Sequence, residues 1–360
     1  MKSFRIYIFM ALAAVLSSCS KESLPQEDGS DFISFHIIDK NYGEQETKAI
    51  VEDTQKLFDL ELQLRVCDLA GINSGLTGNN LISNREIQYN ETYKLWRSNI
   101  TWTDRAYEFY GYMLSPGTGA NASVSLVSGY QGNPGHSVNI YQPTAYAHDD
   151  AAWSDYLLSY RVNVQGKNRP LVRMEMERIT SGVELYISTP EGAKAVVESM
   201  TFTGITRSAR YTIAEHAISN PNLTGIRNKW VYQTISGVPN PVVTYTWSAN
   251  SADDWFSVVE KSEGDSRFDS KFRMMRFITV PQNVTGTLTL IYRVNETGDD
   301  DRNNWTRYTA SFNLAETAVT RWELGRKTRY YISLDTAVEL EGVIGEWVDI
   351  DYVEGTFLPK

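Results

Sequence analysis

The chain has 360 residues, with 34 Lys and Arg against 44 Asp and Glu, and a formal charge of −10. So acidic a chain offers nucleic acid no electrostatic footprint, and two cysteines cannot supply a disulfide framework. Its 9 Trp, 21 Tyr and 13 Phe favour pleated sheet, which accommodates rings well.

In chain order, residues 1–18 have the parts of a secretory signal. Lys2 and Arg5 form a short positive region, Ile6 to Leu16 an apolar core, and Leu16-Ser17-Ser18-Cys19 a lipobox. The core is shorter than the roughly 20 residues a membrane-spanning helix needs, so it reads as a removable signal. Cys19 is the expected lipidation site, carrying acyl chains such as palmitate. The alternative is an ordinary signal peptide with a chance cysteine at its end. Removal of residues 1–18 takes Lys2 and Arg5 with it and leaves a charge of −12. Cys67, without a partner, is expected to be packed. No second apolar stretch is long enough to span a membrane, so the acyl chains would be the attachment.

Residues 19–30, polar and carrying Pro25 and Gly29, read as a tether. Asp31–Ile38 places Ile33, Phe35 and Ile37 on one face, as in a strand. A polar interval to Gln55 follows. Phe58–Val66 then alternates five apolar with four polar residues, a half-buried strand. The pattern returns at Val243, Tyr245 and Trp247, at Leu288 to Val294, and at Tyr308 to Leu314. The last two runs flank the hairpin loop 295–304. Short helices are expected at most at Asp149–Tyr156 and Glu191–Ser199. Many short strands between Gly, Asn and Pro turns predict an all-β protein of two β-sandwiches in tandem. The expected division is a signal at 1–18, a tether at 19–30, an N-terminal domain at 31–168 and a C-terminal domain at 169–360. The junction falls in the turn-rich Gly166–Pro170.

Catalytic chemistry finds no constellation. His36, His136, His148 and His216 lack metal-ligand spacing, and neither a nucleophile elbow, a P-loop nor HExxH occurs. Asp299, Asp301 and Asn303 repeat the opening of a calcium loop, but its glycine and closing glutamate are missing. Seven Asn-x-Ser/Thr sequons carry no assignment, and Asp335-Thr336-Ala337 is a weak O-glycosylation signal. The chain therefore reads as not an enzyme, with no catalytic residue, no metal and no cofactor.

Arg321–Leu334 (RWELGRKTRYYISL) and Val338–Trp347 (VELEGVIGEW) resemble the closing signature of the Bacteroidetes fimbrillins, subunits of type V pili. The matching positions are Trp322, Gly325, Tyr330, Tyr331, Ile332, Leu334 and Trp347. The lipobox, Thr47-Lys48-Ala49 and Trp102–Met113 also fit. One departure is Arg178, where the family commonly has a His.

The resemblance implies two transthyretin-like β-sandwich domains and export as an outer-membrane lipoprotein to the cell surface or fimbrium. It also implies assembly by strand exchange. A trypsin-like protease would cut between Lys48 and Ala49, and the first strand, with Ile33, Phe35 and Ile37, would leave. A strand from the next subunit, from near residues 338–358, would then fill the groove. Burial of those three side chains is worth roughly 5–9 kcal/mol, at about 1.5–3 each.

The implied partners are other pilin subunits, the outer membrane through the lipid anchor, and a host or bacterial surface ligand. Nucleic acid is not among them. The competing reading is a surface lipoprotein that never polymerises and binds glycan or protein ligands. Trp153, Trp255 and Trp305 would be its candidate stacking residues.

Overall fold

The structure, a computed structural model, describes residues 31–39, 61–68, 80–86, 88–90, 95–104, 106–115, 123–127, 135–148, 152–153, 155–213, 229–231, 241–334, 338, 340–346, 350–353 and 356–359. Among them the regular backbone is all-β, with short 3-10 turns and no α-helix.

The first strands are β1 (Phe32–Asp39), β2 (Glu61–Asp68), β3 (Asn80–Glu86), β4 (Gln88–Asn90) and β5 (Leu95–Thr101). They are followed by β6 (Ala106–Ser115), β7 (Ser123–Val127), β8 (Gly135–Tyr141), β9 (Asp155–Gln165) and β10 (Val172–Arg178). Eight of these form one sheet in the order β3-β2-β6-β9-β10-β1-β5-β4. The chain leaves this sheet at Ile179 and Thr180. There Asp155 takes an ion pair from Arg178 at 2.7 Å and a hydrogen bond from the Thr180 hydroxyl at 2.7 Å. Arg178, the departure from the family pattern, thus ties β10 to the start of β9.

The later strands begin with β11 (Ser181–Thr189), β12 (Ala195–Thr206), β13 (Ser208–Ile213), β14 (Lys229–Val231) and β15 (Val242–Ser248). Next come β16 (Phe256–Ser257), β17 (Val259–Glu260), β18 (Arg273–Thr279), β19 (Gln282–Asn283) and β20 (Thr287–Val294). The last are β21 (Thr306–Asn313), β22 (Arg321–Trp322), β23 (Arg326–Ser333), β24 (Leu340–Glu346), β25 (Ile350–Val353) and β26 (Thr356–Pro359).

β11 lies inside one sheet, flanked by β17 and β18 on one side and by β23, then β24, on the other. A second sheet runs β15-β12-β20-β21. The inward residues of both meet in one apolar core: Val183, Leu185 and Ile187 from β11, Met200 and Phe202 from β12, Leu288 and Leu290 from β20. Phe277 is its aromatic hub, edge-on to Phe202 at 5.2 Å and Trp322 at 5.8 Å, and tilted 66° to Tyr245 at 5.2 Å. Such pairs add about 0.5–1.5 kcal/mol each beyond area burial.

Among the described residues, at least two connections join the halves of the chain. β12 passes through Arg207 into β13, which pairs with β8 in a separate four-stranded sheet. Trp153 packs into the core of the later strands, edge-on to Tyr245 at 5.1 Å, while the Tyr245 hydroxyl donates to the Pro143 carbonyl at 2.9 Å.

The helix expectation at Glu191–Ser199 is overturned, and that at Asp149–Tyr156 fails at its C-terminal end, with 149–151 and 154 outside the described residues. Glu191 and Gly192 form a turn, and Ala195 to Ser199 open β12, whose β-branched Val196 and Val197 pair across both neighbours. Asp155 and Tyr156 open β9, and Ala152 lies in a 3-10 turn.

In the β20–β21 hairpin, the Asp299 carboxylate accepts from the Asp301 N–H and the Asn304 amide, each at 2.8 Å. Asp301 accepts from the Asn303 N–H at 3.0 Å. These acceptors stabilise the turn itself. Among the described residues no group of three His, Cys, Asp or Glu could hold a metal.

Candidate strand-exchange site

β1 occupies an interior place in its sheet although it is the first strand described. It runs parallel to β10, pairing Phe35 with Val172 through to Asp39 with Met176, and antiparallel to β5, pairing Phe35 with Trp96. Period two sends Ile33 and Phe35 inward, where both are 0% exposed, while Phe32 faces out at 39%. Ile37 pairs with Met174.

The floor beneath Phe35 is aromatic. Phe109 meets it edge-on at 5.4 Å, and Trp102 meets Phe109 at 5.9 Å and Tyr107 at 5.4 Å, again edge-on. Leu95, Trp96, Val172 and Met174 are buried around it. Two bonds fix the register at the N-terminal end: the Ser98 hydroxyl donates to the Ile33 carbonyl at 2.9 Å, and the Trp102 N–H to the Asp31 carbonyl at 2.8 Å. Asp31 also forms an exposed ion pair with Arg169. Burial of Ile33 and Phe35 is worth about 3–6 kcal/mol. Loss of β1 would leave β10 and β5 each with an unpaired edge, a ready template for another strand.

Of the remaining residues singled out from sequence, Cys19, Lys48, Ala49 and Trp347 lie outside the described residues. Trp322 ends β22, and Gly325 immediately precedes β23. Trp322 is buried, and its indole N–H donates to the Tyr330 hydroxyl at 3.0 Å. Burial pushes the Tyr330 phenol up to about 12, against the opposing hydrogen bonds from Trp322 and Thr317. Gly325 has φ +66° and donates its N–H to the Thr180 carbonyl at 2.8 Å. A glycine suits that left-handed turn. Ile332 and Leu334 are buried, and the Tyr331 and Ser188 hydroxyls hydrogen-bond at 2.7 Å. These residues hold β23 against β11 and are not gathered near β1.

Of the donor region, 340–346 forms β24 on the edge of its sheet, and β25 pairs with β26 as a hairpin. Of the stacking candidates, Trp153 and Trp305 are buried. Trp255 is half-buried, with the Arg293 guanidinium 4.7 Å from its ring centre.

The described residues form packed β-sheets whose aromatic signature residues Trp322 and Tyr330 are placed in the core. The model of the fimbrillin-like family matches residues 47–347, and the chain belongs to that family. No curated protein matches it. Solved structures like it include a fimbrial protein from Bacteroides vulgatus, 12% identical with a TM-score of 0.48, covering 89% of this chain and 100% of that one. A candidate cell adhesion protein from Bacteroides uniformis is 12% identical with a TM-score of 0.40, covering 90% and 100%. The tip fimbrial protein Mfa3 from Porphyromonas gingivalis, truncated at its C-terminus, is 8% identical with a TM-score of 0.36, covering 80% and 94%. Among the described residues no helix is long and apolar enough to cross a membrane.

Proposed function

We propose that this protein is a structural or adhesive fimbrial subunit, built of two transthyretin-like sandwiches, exported as an outer-membrane lipoprotein through Cys19 and assembled by protease-triggered strand exchange. The observation that carries the reading is the interior position of β1. It is an N-terminal strand with Ile33 and Phe35 fully buried, paired on both edges. As the first strand described, it would be freed by one cut on its C-terminal side. Its departure exposes two edges and an aromatic floor, which an incoming strand can cover with the same backbone and side-chain chemistry. Lys48-Ala49 lies in the sequence between β1 and β2, where a cut frees β1 together with the anchor. A donor strand drawn from β24 to β26 would fill the vacated place.

The test is electrophoresis of unboiled envelope fractions in SDS. Strand-exchanged polymers give a resistant ladder, and a single monomer band contradicts polymerisation. A second reading, a non-polymerising lipoprotein that binds a surface glycan or protein, draws on the half-buried Trp255. A monomer band together with ligand binding sensitive to Trp255→Ala would favour it.

A further inference from the structure

The outer face of the sheet β15-β12-β20-β21 carries rows of hydroxyls. Alternation sends Met200, Phe202, Leu288 and Leu290 into the core, so the residues between them face out. Register aligns Thr246, Thr201, Thr289 and Ser311 in one row across the four strands. The Thr246 and Thr201 hydroxyls hydrogen-bond at 3.1 Å, as do those of Thr289 and Ser311. On one side of this row Thr203 and Thr287 bond at 2.9 Å. On the other side the next row holds Ser248, Ser199, Ile291 and Thr309. All of these residues are exposed or half-buried. Residues 199–206, 242–248, 287–292 and 308–313 include no Asp, Glu, Lys or Arg, although these types make up 22% of the chain.

Towards the β20–β21 hairpin the face ends at an indole. Phe256 pairs with Val197 of β12 and turns its ring onto Trp247 at 4.5 Å, which leaves the preceding Trp255 on the outer side. There the Arg293 guanidinium lies 4.7 Å from the Trp255 ring centre. Arg293 is itself fixed. Its Nε donates to Glu198, and its Nη1 to the carbonyls of Asn303 at 2.9 Å and Trp305 at 3.2 Å. Glu198 also accepts from Arg307 Nε at 2.8 Å, and Arg307 keeps 51% of its side chain exposed. A half-buried indole backed by an immobilised cation makes a rigid stacking surface.

We infer that this face binds an uncharged polysaccharide, one sugar ring stacking on Trp255 while neighbouring sugar hydroxyls bond the Thr and Ser rows. The charge pattern selects the ligand: across the rows a charged chain meets no counter-charge. A protein partner would need an apolar centre, and Ile291 is the apolar side chain these rows supply. Thr and Ser hydroxyls both donate and accept, as sugar hydroxyls do. Each hydroxyl pair in the central row spends one O–H and keeps the other, with lone pairs to spare. With strands about 4.8 Å apart and outward residues about 6.8 Å apart, the rows cover roughly 14 by 14 Å, room for a short oligosaccharide. The inference rests on the glycan-binding reading of Trp255 and names its ligand class; it does not depend on strand exchange, since the face lies away from β1.

Calorimetric titration of the whole protein with dextran, soluble β-glucan, α-mannan and galactomannan tests it, with polygalacturonate and heparin as charged counterparts. Binding of at least one neutral polysaccharide is expected, with both charged chains silent. Trp255→Ala should weaken that binding at least about ten-fold. Thr201→Val/Thr289→Val keeps the β-branched shape, removes two hydroxyls and should weaken it about ten-fold, the worth of one or two hydrogen bonds. Oxidation of the unmodified protein by N-bromosuccinimide supplies a readout that needs no variant: the bound polysaccharide should protect Trp255, as located by peptide mass mapping. Silence of all four neutral polysaccharides, binding of the charged chains alone, or an unprotected Trp255 would overturn the inference. Binding lost in Trp255→Ala but unmoved in Thr201→Val/Thr289→Val would leave glycan recognition at Trp255 and overturn the hydroxyl face. A dimer in light scattering that Thr289→Arg dissociates would assign the face to a second copy of the chain, and so overturn it too.

Discussion

Trp322 and Tyr330 satisfy each other inside the core, so neither polar atom can be deleted cleanly. Tyr330→Phe leaves the buried Trp322 N–H without its acceptor and should cost about 1–3 kcal/mol, read as a lower urea midpoint. The raised Tyr330 pKa favours the neutral phenol in the folded state. That stability is full below the unfolded tyrosine value near 10 and is lost as pH rises towards about 12. Tyr330→Phe should therefore also flatten the alkaline limb of the stability profile.

Glu184 titrates with the opposite sign. Burial works to raise its pKa, but Lys327, the Tyr186 hydrogen bond, Arg276 and Arg273 together outweigh it and hold the carboxyl below its ordinary range. Its contribution is therefore present above the unfolded carboxylate value, about 4.3, and lost as pH falls through the folded one. Urea midpoints between pH 7 and pH 3 should fall steeply in the parent protein. In Glu184→Gln they should start lower and change less; an identical slope would show that the cation array does not couple to this carboxylate.

At the scale of the element, β1 makes the sharpest contrast. Phe35→Ala empties a fully buried site over Phe109 and should cost about 3–5 kcal/mol, whereas Phe32→Ala, on the outer face, should stay within roughly 0.5–1 kcal/mol. Equal midpoints for the two variants would mean that β1 is not packed as described. β12 and β20 approach so closely at Gly286 that an added Cβ would lie 1.8 Å from the Thr203 carbonyl oxygen. Gly286→Ala should consequently disrupt this pairing, visible as lost amide protection along β12.

Period two in DFISFHII is enough to place Ile33 and Phe35 on one face. It says nothing of the partners, because β10 follows about 140 residues later in the chain and pairs in parallel. β11 hides for another reason: all nine of its residues are buried, so the alternation that marks half-buried strands is absent. The helix expected at Glu191–Ser199 fails because pairing on both sides overrides a weak local preference.

Over the whole molecule, composition and turn chemistry were enough for an all-β fold, and the RWELGRKTRYYISL segment for the family. The cation array on the β11 sheet was illegible, since only register brings Arg273 and Arg276 to Glu184 from about 90 residues away and Lys327 and Arg329 from about 140.

The central claim is that β1 and its anchor leave together when the subunit assembles. N-terminal sequencing of the SDS-resistant material isolated from the envelope tests this most directly. Strand exchange as proposed predicts a mature chain that begins at Ala49; resistant material still beginning at acylated Cys19 would contradict it.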